Sequence, residues 1–178
     1  MTESEHKELI KAAQNGDADA FEALINLYYA VMFKMAFKWC GRQDMAEDIT
    51  QEACLKLARG IKSYSFKSKF TSWLYTLVLN TGRDFVKSDA RHPESPDGLE
   101  KLPVKAKGED AIYTRQVLAA IYELPLSERE AVLLVLNDGY THAEAADILG
   151  TKEGTISWRI SEAKKKLQSK FGEGAAYG

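Results

Sequence analysis

Three of the four prolines in this 178-residue chain lie within eleven residues, at Pro93, Pro96 and Pro103. Proline has no amide proton to donate inside a helix, so a helix does not run through such a cluster. On either side of the cluster, apolar residues recur at the three- and four-residue spacings of amphipathic helices. The pattern predicts an all-α chain of two small helical domains, joined by a flexible linker at residues 92–109.

The first predicted domain, residues 1–91, contains long helices. The stretch FEALINLYYAVMFKMAFKWC is predicted to be one helix, with Asp17 or Asp19 as its N-cap. A second helix follows GRQD, with Asp44 as a possible N-cap, and a third covers residues 70–91. The apolar face of the second helix is expected to consist of Ala46, Ile49, Ala53 and Leu57.

The second predicted domain, residues 110–170, holds four short helices, and residues 171–178 form a tail. Ser127 is a candidate N-cap, and the last two helices form a helix-turn-helix. Thr141 is a plausible N-cap for the first of this pair, and Gly150 supplies the positive φ that ends it. The inner faces are expected to be Ala145, Ala146 and Leu149, and then Ile156, Ile160, Ala163 and Leu167.

Charge is segregated along the chain, although the formal net charge is only -2. Residues 59–91 carry seven basic and two acidic side chains, and residues 151–170 carry six and two. The other segments are acidic overall. Two basic islands in an acidic chain indicate contact with a polyanion at two places, and a different partner for the acidic parts.

The sequence favours a cytoplasmic protein without membrane contact of its own. The N-terminus MTESEHKELI is acidic and polar, unlike a secretory signal, and no span is expected to be long enough to cross a membrane. Cys40 and Cys54 have no CxxC spacing and are expected to be reduced residues packed in helices.

The predicted helix-turn-helix carries the first family resemblance. The segment GYTHAEAADILGTKEGTISWRISEAKKKL resembles the promoter-reading helix-turn-helix of bacterial sigma factors, although two plain amphipathic helices would share its periodicity. The residues in register with the family pattern are Glu144, Ala146, Leu149, Gly150, Gly154, Thr155, Ile156, Arg159, Ile160, Ala163 and Lys164. The minus-thirty-five DNA contacts that the resemblance implies are Thr141, Lys152, Glu153, Thr155, Ser157, Trp158, Arg159, Lys164 and Lys165.

Two residues in this segment depart from the family pattern. The family usually has a small polar residue at the position of Trp158 and a basic residue at the position of Glu162. Trp158 either packs on deoxyribose and thymine methyls or faces inward. Glu162 either accepts from a cytosine amino group or pairs with Lys165 or Lys166.

An acidic stripe runs along the predicted second helix, in DMAEDITQEACLKL. Its members share one face because they are three and four residues apart: Asp44, Glu47, Asp48, Gln51 and Glu52. The residues alone allow a solvated face, a protein-docking face or a divalent-metal site. A metal enzyme needs ligands from several helices, and the chain has no second acidic helical motif and only three histidines, so no metal site is expected. The sigma-factor resemblance implies no cofactor and no catalytic residue, because phosphodiester chemistry belongs to the polymerase.

The acidic stripe resembles the helix with which extracytoplasmic-function sigma factors bind the coiled-coil clamp of the RNA polymerase beta-prime subunit. The resemblance therefore implies that the five side chains of the stripe bind core polymerase.

The first basic island interleaves cations with aromatic rings. This combination suits single-stranded DNA, because cations follow phosphates while rings stack on unpaired bases, although some rings must fill the core. The stretch FTSWLYTLVLNTGRDFV resembles the sigma-factor element that melts and reads the promoter minus-ten region, and the loop at residues 63–69 would capture a flipped base. The implied contacts are Lys62, Tyr64, Phe66, Lys67, Lys69, Phe70, Trp73, Tyr75, Asn80, Arg83, Lys87 and Arg91. For Asn80, a bond to the helix backbone is the equal alternative.

Together the ordered motifs resemble an extracytoplasmic-function sigma factor of the sigma-70 family over about residues 5–91 and 110–169. The implied partners are core RNA polymerase, at the beta-prime clamp coiled coil and the beta flap, promoter DNA in duplex and single-stranded form, and an anti-sigma factor. Two rivals remain open: a one-component helix-turn-helix regulator that binds duplex DNA without polymerase, and a metal-carboxylate enzyme.

Overall fold

The computed structural model describes residues 2–88 and 109–172, except for the side chains of residues 88 and 109–114. These residues form helices and turns, and none of them is in a strand. The prediction of an all-α chain is therefore confirmed. The predicted linker lies outside the described residues apart from its last residue, and Arg91 and residues 173–178 also lie outside them.

The chain divides into two compact units. One comprises Met1–Lys38 with Gln43–Ala90, and the other comprises Trp39–Arg42 with Arg91–Gly178.

Four helices and one short turn make up the N-terminal part of the chain. The helices are α1 (Glu3–Gln14), α2 (Ala18–Cys40), α3 (Gln43–Gly60) and α4 (Phe70–Ser88), with a 3₁₀ turn at Ile61–Ser63. Leu24, Ile49 and Leu74, from α2, α3 and α4, are fully buried. Burying each such side chain stabilises the fold by roughly 1.5–3 kcal/mol.

The N-terminal ends of α2 and α3 test two predicted caps. The Asp17 carboxylate accepts from the Ala20 amide at 3.0 Å, which confirms Asp17 as the residue that caps α2. The prediction for Asp44 is wrong, because α3 begins at Gln43 and Asp44 lies inside its first turn. There its charge still opposes the positive end of the helix dipole.

The four predicted helices of the C-terminal part are all present. They are α5 (Glu109–Glu123), α6 (Leu126–Val132), α7 (His142–Leu149) and α8 (Glu153–Phe171), and α6 continues into a π-helical turn at Leu133–Asn137. α8 packs against α5, α6 and α7, and the seven residues predicted for the inner faces of α7 and α8 are all buried.

The cap predicted for α6 is wrong. α6 begins at Leu126, so Pro125 occupies the N-cap and Ser127 lies within the first turn. The Pro125 carbonyl accepts from the amides of Glu128 and Arg129 at 2.9 and 3.0 Å. Proline has no amide to lose at a helix start, so it serves this position without a capping side chain.

The expectation that no segment is long enough to cross a membrane is wrong for α2. α2, with 23 residues, is long and apolar enough to span one. Length and composition alone are weak evidence, because the core helix of a soluble protein passes the same test. Leu24 and Met32 of α2 are in the core, whereas Leu27 and Tyr29 are exposed.

Candidate polymerase and nucleic-acid interfaces

The packing of α3 decides which of its faces meets solvent. Its four predicted core residues, Ala46, Ile49, Ala53 and Leu57, are completely buried. The acidic stripe therefore points outward, with Asp44, Glu47, Asp48 and Gln51 exposed and Glu52 half-buried. The stripe also contains an apolar residue that the prediction missed. Leu55, which follows Gln51 by one helical turn, is 52% exposed.

The acidic stripe does not form a metal site in this structure. Within residues 2–88 and 109–172, no group of three or more His, Cys, Asp or Glu side chains is placed to hold a metal ion. Cys54 lies on the same helix, and burial raises the pKa of its thiol. A raised thiol pKa lowers the fraction of thiolate, the form that oxidants attack, at neutral pH.

An aromatic cluster holds the loop between α3 and α4. The Tyr64 ring contacts Phe66, Phe70 and Trp73 at centroid distances of 4.8, 5.1 and 5.5 Å. The Tyr64 hydroxyl donates to the Ser68 carbonyl at 2.6 Å and so closes the loop on itself. Burial raises the pKa of Tyr64, because it disfavours the charged phenolate.

Burial sorts the predicted minus-ten rings into core and surface. Tyr75 is 3% exposed and has no surface to offer a base, so it belongs to the core of the first unit. Tyr64 and Phe70 are also buried, at 6% and 4%, whereas Phe66 and Trp73 are half-buried. Among the described residues, Phe66 is also the one non-glycine residue with a positive φ, at 60°.

The predicted minus-ten cations lie mostly in solvent. Lys62, Lys67, Lys69 and Lys87 are exposed, and Arg83 is half-buried. Asn80 is exposed, and its side-chain oxygen accepts from Arg83 at 3.2 Å. This bond to a neighbouring side chain differs from the backbone bond that was the alternative for Asn80.

A cavity of about 420 Å³ opens beside the aromatic cluster. One wall is the loop with Tyr64, Phe66 and Phe70, and the opposite wall comes from α1, with His6 and Lys7. The sequence prediction assigned α1 no role. Helical periodicity identifies α1 as a helix, but it carries no signal for a contact with a loop about fifty residues away.

The helix-turn-helix is fixed at both ends of α7. Thr141 and Glu144 form a reciprocal capping box, in which the Thr141 hydroxyl accepts from the Glu144 amide at 3.1 Å. Gly150 ends the helix with φ 64°, a conformation that costs a residue with a Cβ about 1 kcal/mol. Both predictions, the cap and the terminating glycine, are confirmed.

The N-cap and the outer face of α8 present most of the predicted DNA-facing residues. Lys152, Glu153, Ser157, Trp158, Lys164 and Lys165 are exposed, and Thr155 and Arg159 are half-buried. Trp158 is 59% exposed, which excludes the alternative that its ring faces inward. The Ser157 hydroxyl donates to the Glu153 carbonyl at 3.2 Å and lies 2.9 Å from His142 Nδ1, a link between the two helices.

The lysines at the end of α8 form ion pairs with different partners. Lys165 donates to Glu162 at 2.7 Å, and Lys166 donates to the buried Glu128 of α6 at 2.6 Å. Lys170 pairs with Glu123 of α5. Only Lys164 of the three consecutive lysines has no ion pair of this kind among the described residues.

Comparison with known protein families matches both halves of the chain. The family model for Sigma-70 region 2 matches residues 24–92, and that for Sigma-70 region 4 matches residues 114–167. The ECF RNA polymerase sigma factor SigM of Mycobacterium tuberculosis is 30% identical over 171 residues, which cover 96% of this chain and 86% of SigM. EcfG of Rhodopseudomonas palustris is 32% identical over 75% of each chain, and SigW of Bacillus subtilis is 28% identical over 93% of this chain and 96% of SigW.

Two solved structures share the fold. CnrH, in complex with the cytosolic domain of CnrY, superposes with a TM-score of 0.66 at 20% identity, over 92% of this chain and 94% of CnrH. The sigma factor RpoE of Bartonella quintana, in complex with the anti-sigma factor NepR, has a TM-score of 0.67 at 22% identity, over 86% of this chain and 97% of RpoE.

The chain belongs to the extracytoplasmic-function sigma factors of the sigma-70 family. It is a soluble transcription factor that acts with core RNA polymerase in promoter-specific initiation, and it is not itself an enzyme. This membership excludes both rivals, the polymerase-independent regulator and the metal-carboxylate enzyme.

Proposed function

We propose that three surfaces of this sigma factor divide the work of initiation. The acidic stripe of α3 binds core polymerase at the beta-prime clamp coiled coil. The loop and the exposed cations around α4 hold the melted minus-ten strand. The first turns of α8 read the minus-thirty-five duplex, while the C-terminal unit docks on the beta flap.

The observation that carries the proposal is the orientation of α3. The side chains of Ala46, Ile49, Ala53 and Leu57 are all buried in the core, so the acidic side chains of α3 point outward. The exposed Leu55 beside them favours a docking face over a solvated face, since protein interfaces combine an apolar centre with a polar rim. Acidic groups facing a basic partner also speed association in a salt-sensitive way.

Run-off transcription with purified core polymerase and a promoter library tests this division. Glu47→Ala and Asp48→Ala should abolish initiation from every promoter that the wild-type protein uses. Glu22→Ala provides the matched control, because Glu22 is an exposed acidic residue on α2, outside the stripe. Initiation that survives the two stripe variants would refute the proposed docking face.

The proposal also extends to control and location. Two solved structures of the same fold hold the cytosolic domain of CnrY and the anti-sigma factor NepR, respectively. By analogy, an anti-sigma factor would hold this chain inactive in the cytoplasm. Co-purification of the tagged full-length chain from its host, followed by a transcription assay of each captured protein as an inhibitor, tests this part.

A further inference from the structure

We propose that α1 completes the single-strand pocket, with Lys7 contacting the bound nucleotide and Gln14 positioning the loop. This inference rests on the proposed minus-ten role of that loop. α1 covers Glu3–Gln14, and the match to Sigma-70 region 2 begins only at residue 24. The helix therefore lies outside the part of the chain to which the family match assigns a region.

One side chain joins α1 to the loop at two points. The Gln14 amide nitrogen donates to the carbonyls of Ile61 and Tyr64, at 2.9 and 2.8 Å. Ile61 is the first residue of the 3₁₀ turn from which the loop departs, and Tyr64 is the C-cap of that turn. Each such bond contributes to holding the turn in place, and the loss of Gln14 would leave two part-buried carbonyls without this donor.

The other end of α1 meets the aromatic cluster directly. His6 Nε2 lies 2.6 Å from the Tyr28 hydroxyl, and the His6 ring packs edge-on against Phe70 at 5.8 Å. The Lys7 ammonium lies 5.6 Å from the centre of the Phe66 ring. α1 thus adds a cation and an imidazole to a cavity whose far wall is aromatic.

The shape and chemistry of the cavity fit one unstacked nucleotide. Its volume of about 420 Å³ lies in the range of small-ligand sites, roughly 300–1,000 Å³, and is too small for a base pair with its backbone. The half-buried Phe66 offers a ring to a base, and the exposed Lys7 offers a positive charge to its phosphate. The expected ligand is a single extruded deoxynucleotide within single-stranded DNA.

The test uses holoenzyme, formed from the full chain and core polymerase, and a single-stranded DNA library with ten randomised positions. Sequencing of the bound fraction identifies the preferred sequence, and an abasic scan of that sequence finds the position whose base the pocket holds. In the wild type, an abasic site there should weaken binding about tenfold, the effect of losing one stacked base.

Lys7→Ala and Lys11→Ala form the decisive pair. Lys11 lies on the same helix, is exposed and pairs with Glu8, and it does not line the cavity. Lys7→Ala should lower the slope of log affinity against log salt by about 0.7, the value for one phosphate on a single strand, whereas Lys11→Ala should leave it unchanged. Both lysines are exposed, so neither variant threatens the fold.

Gln14→Ala tests the positioning role. It should flatten the base preference at the pocket position and reduce the abasic penalty there, while preferences at the other positions and binding to core polymerase stay unchanged. A purely structural role would weaken all positions alike and would refute the positioning role.

Two further outcomes distinguish failure of the role proposed for α1 from failure of the minus-ten function on which that role rests. If wild-type holoenzyme enriches no sequence from the library, the proposed minus-ten function fails. If it enriches a sequence but Lys7→Ala behaves like Lys11→Ala, the minus-ten function stands and the role of α1 is refuted.

Discussion

The Glu162 carboxylate accepts a hydrogen bond from the Lys165 ammonium at 2.7 Å, one turn further along α8. This bond lowers the pKa of Glu162, because it favours the charged form of the carboxyl group. The acidic residue that departs from the family pattern is thus engaged by a lysine of its own helix rather than left unpaired beside DNA.

Glu162→Gln should therefore strengthen binding to a random-sequence 30-base-pair duplex. The substitution releases Lys165 for a phosphate, so the slope of log affinity against log salt should become steeper by about 0.9. Glu123→Gln is the control, because it releases Lys170 at the far end of the same helix. Equal slopes for both variants and the wild type, measured by fluorescence anisotropy, would contradict the prediction.

Lys164 and Lys152 should differ in what they recognise. Lys164→Ala should weaken binding to all duplexes alike and flatten the salt dependence, because Lys164 is expected to contact phosphate. Lys152→Ala or Ser157→Ala should instead change the base preference, which selection from a randomised duplex library measures. The division of labour is wrong if all three variants affect every sequence equally.

Trp158→Ala should separate DNA binding from stability. The ring is 59% exposed, so its removal should change the free energy of unfolding by less than about 0.5 kcal/mol. Duplex selection should nevertheless yield a different preferred sequence, since the exposed ring lies among the predicted DNA contacts. Leu136→Ala removes an exposed side chain of the same unit outside α8 and should change neither quantity. A large loss of stability in Trp158→Ala would show that the ring packs against the protein.

Phe66→Gly should be more stable than Phe66→Ala by about 1 kcal/mol. Phe66 has φ 60°, where glycine is unstrained and any residue with a Cβ is not. At Ala30, an exposed position inside α2, glycine should instead cost about 1 kcal/mol. Denaturant unfolding of the full chain measures both effects. Loss of single-strand binding in both Phe66 variants would show that the ring takes part in binding.

Asp84 should contribute a small pH-dependent stability. A hydrogen bond from Lys56 at 2.8 Å, followed by the charge of the same lysine, lowers the pKa of Asp84 in the folded chain. The stabilisation is therefore present above the unfolded pKa of about 3.9 and is lost as the pH falls through the lower folded value. Because the pair is largely exposed, Asp84→Asn should cost less than about 1 kcal/mol at pH 7, and the cost should shrink as the pH falls below the folded pKa. A cost that does not change with pH would indicate another cause.

Periodicity predicted most of the fold because it reports which side chains must be buried. The faces of α3, α7 and α8 follow from three- and four-residue spacing alone, and Gly150 follows from the need for a positive φ. The errors at Asp44 and Ser127 have a common cause. A capping residue is defined by where the backbone turns, and in both cases the helix begins two residues earlier than the polar side chain suggests.

The sequence predicted one wall of the candidate pocket, the loop, but not the opposite wall, which comes from α1. The alternation of lysines and aromatic rings predicts a nucleic-acid-binding loop. It does not predict that Phe66 is partly exposed and Tyr75 buried, because α4 buries side chains at adjacent positions, including Leu74 and Tyr75. The α1 wall depends on Gln14 meeting carbonyls 47 and 50 residues away. Contacts over such separations leave no local pattern.

The ion pairs at the end of α8 set a limit on the length of the DNA site. Lys165, Lys166 and Lys170 are paired with Glu162, Glu128 and Glu123, so in the proposed DNA-reading role the part of α8 left for DNA, counted with its N-cap, spans residues 152–164. At 1.5 Å per residue this part is about 20 Å long, which corresponds to about six base pairs at 3.4 Å each. Because a helix crosses the groove at an angle, six base pairs is an upper limit for the bases that α8 can contact. A longer preference in that element would then reflect contacts made outside α8 or the shape of the DNA.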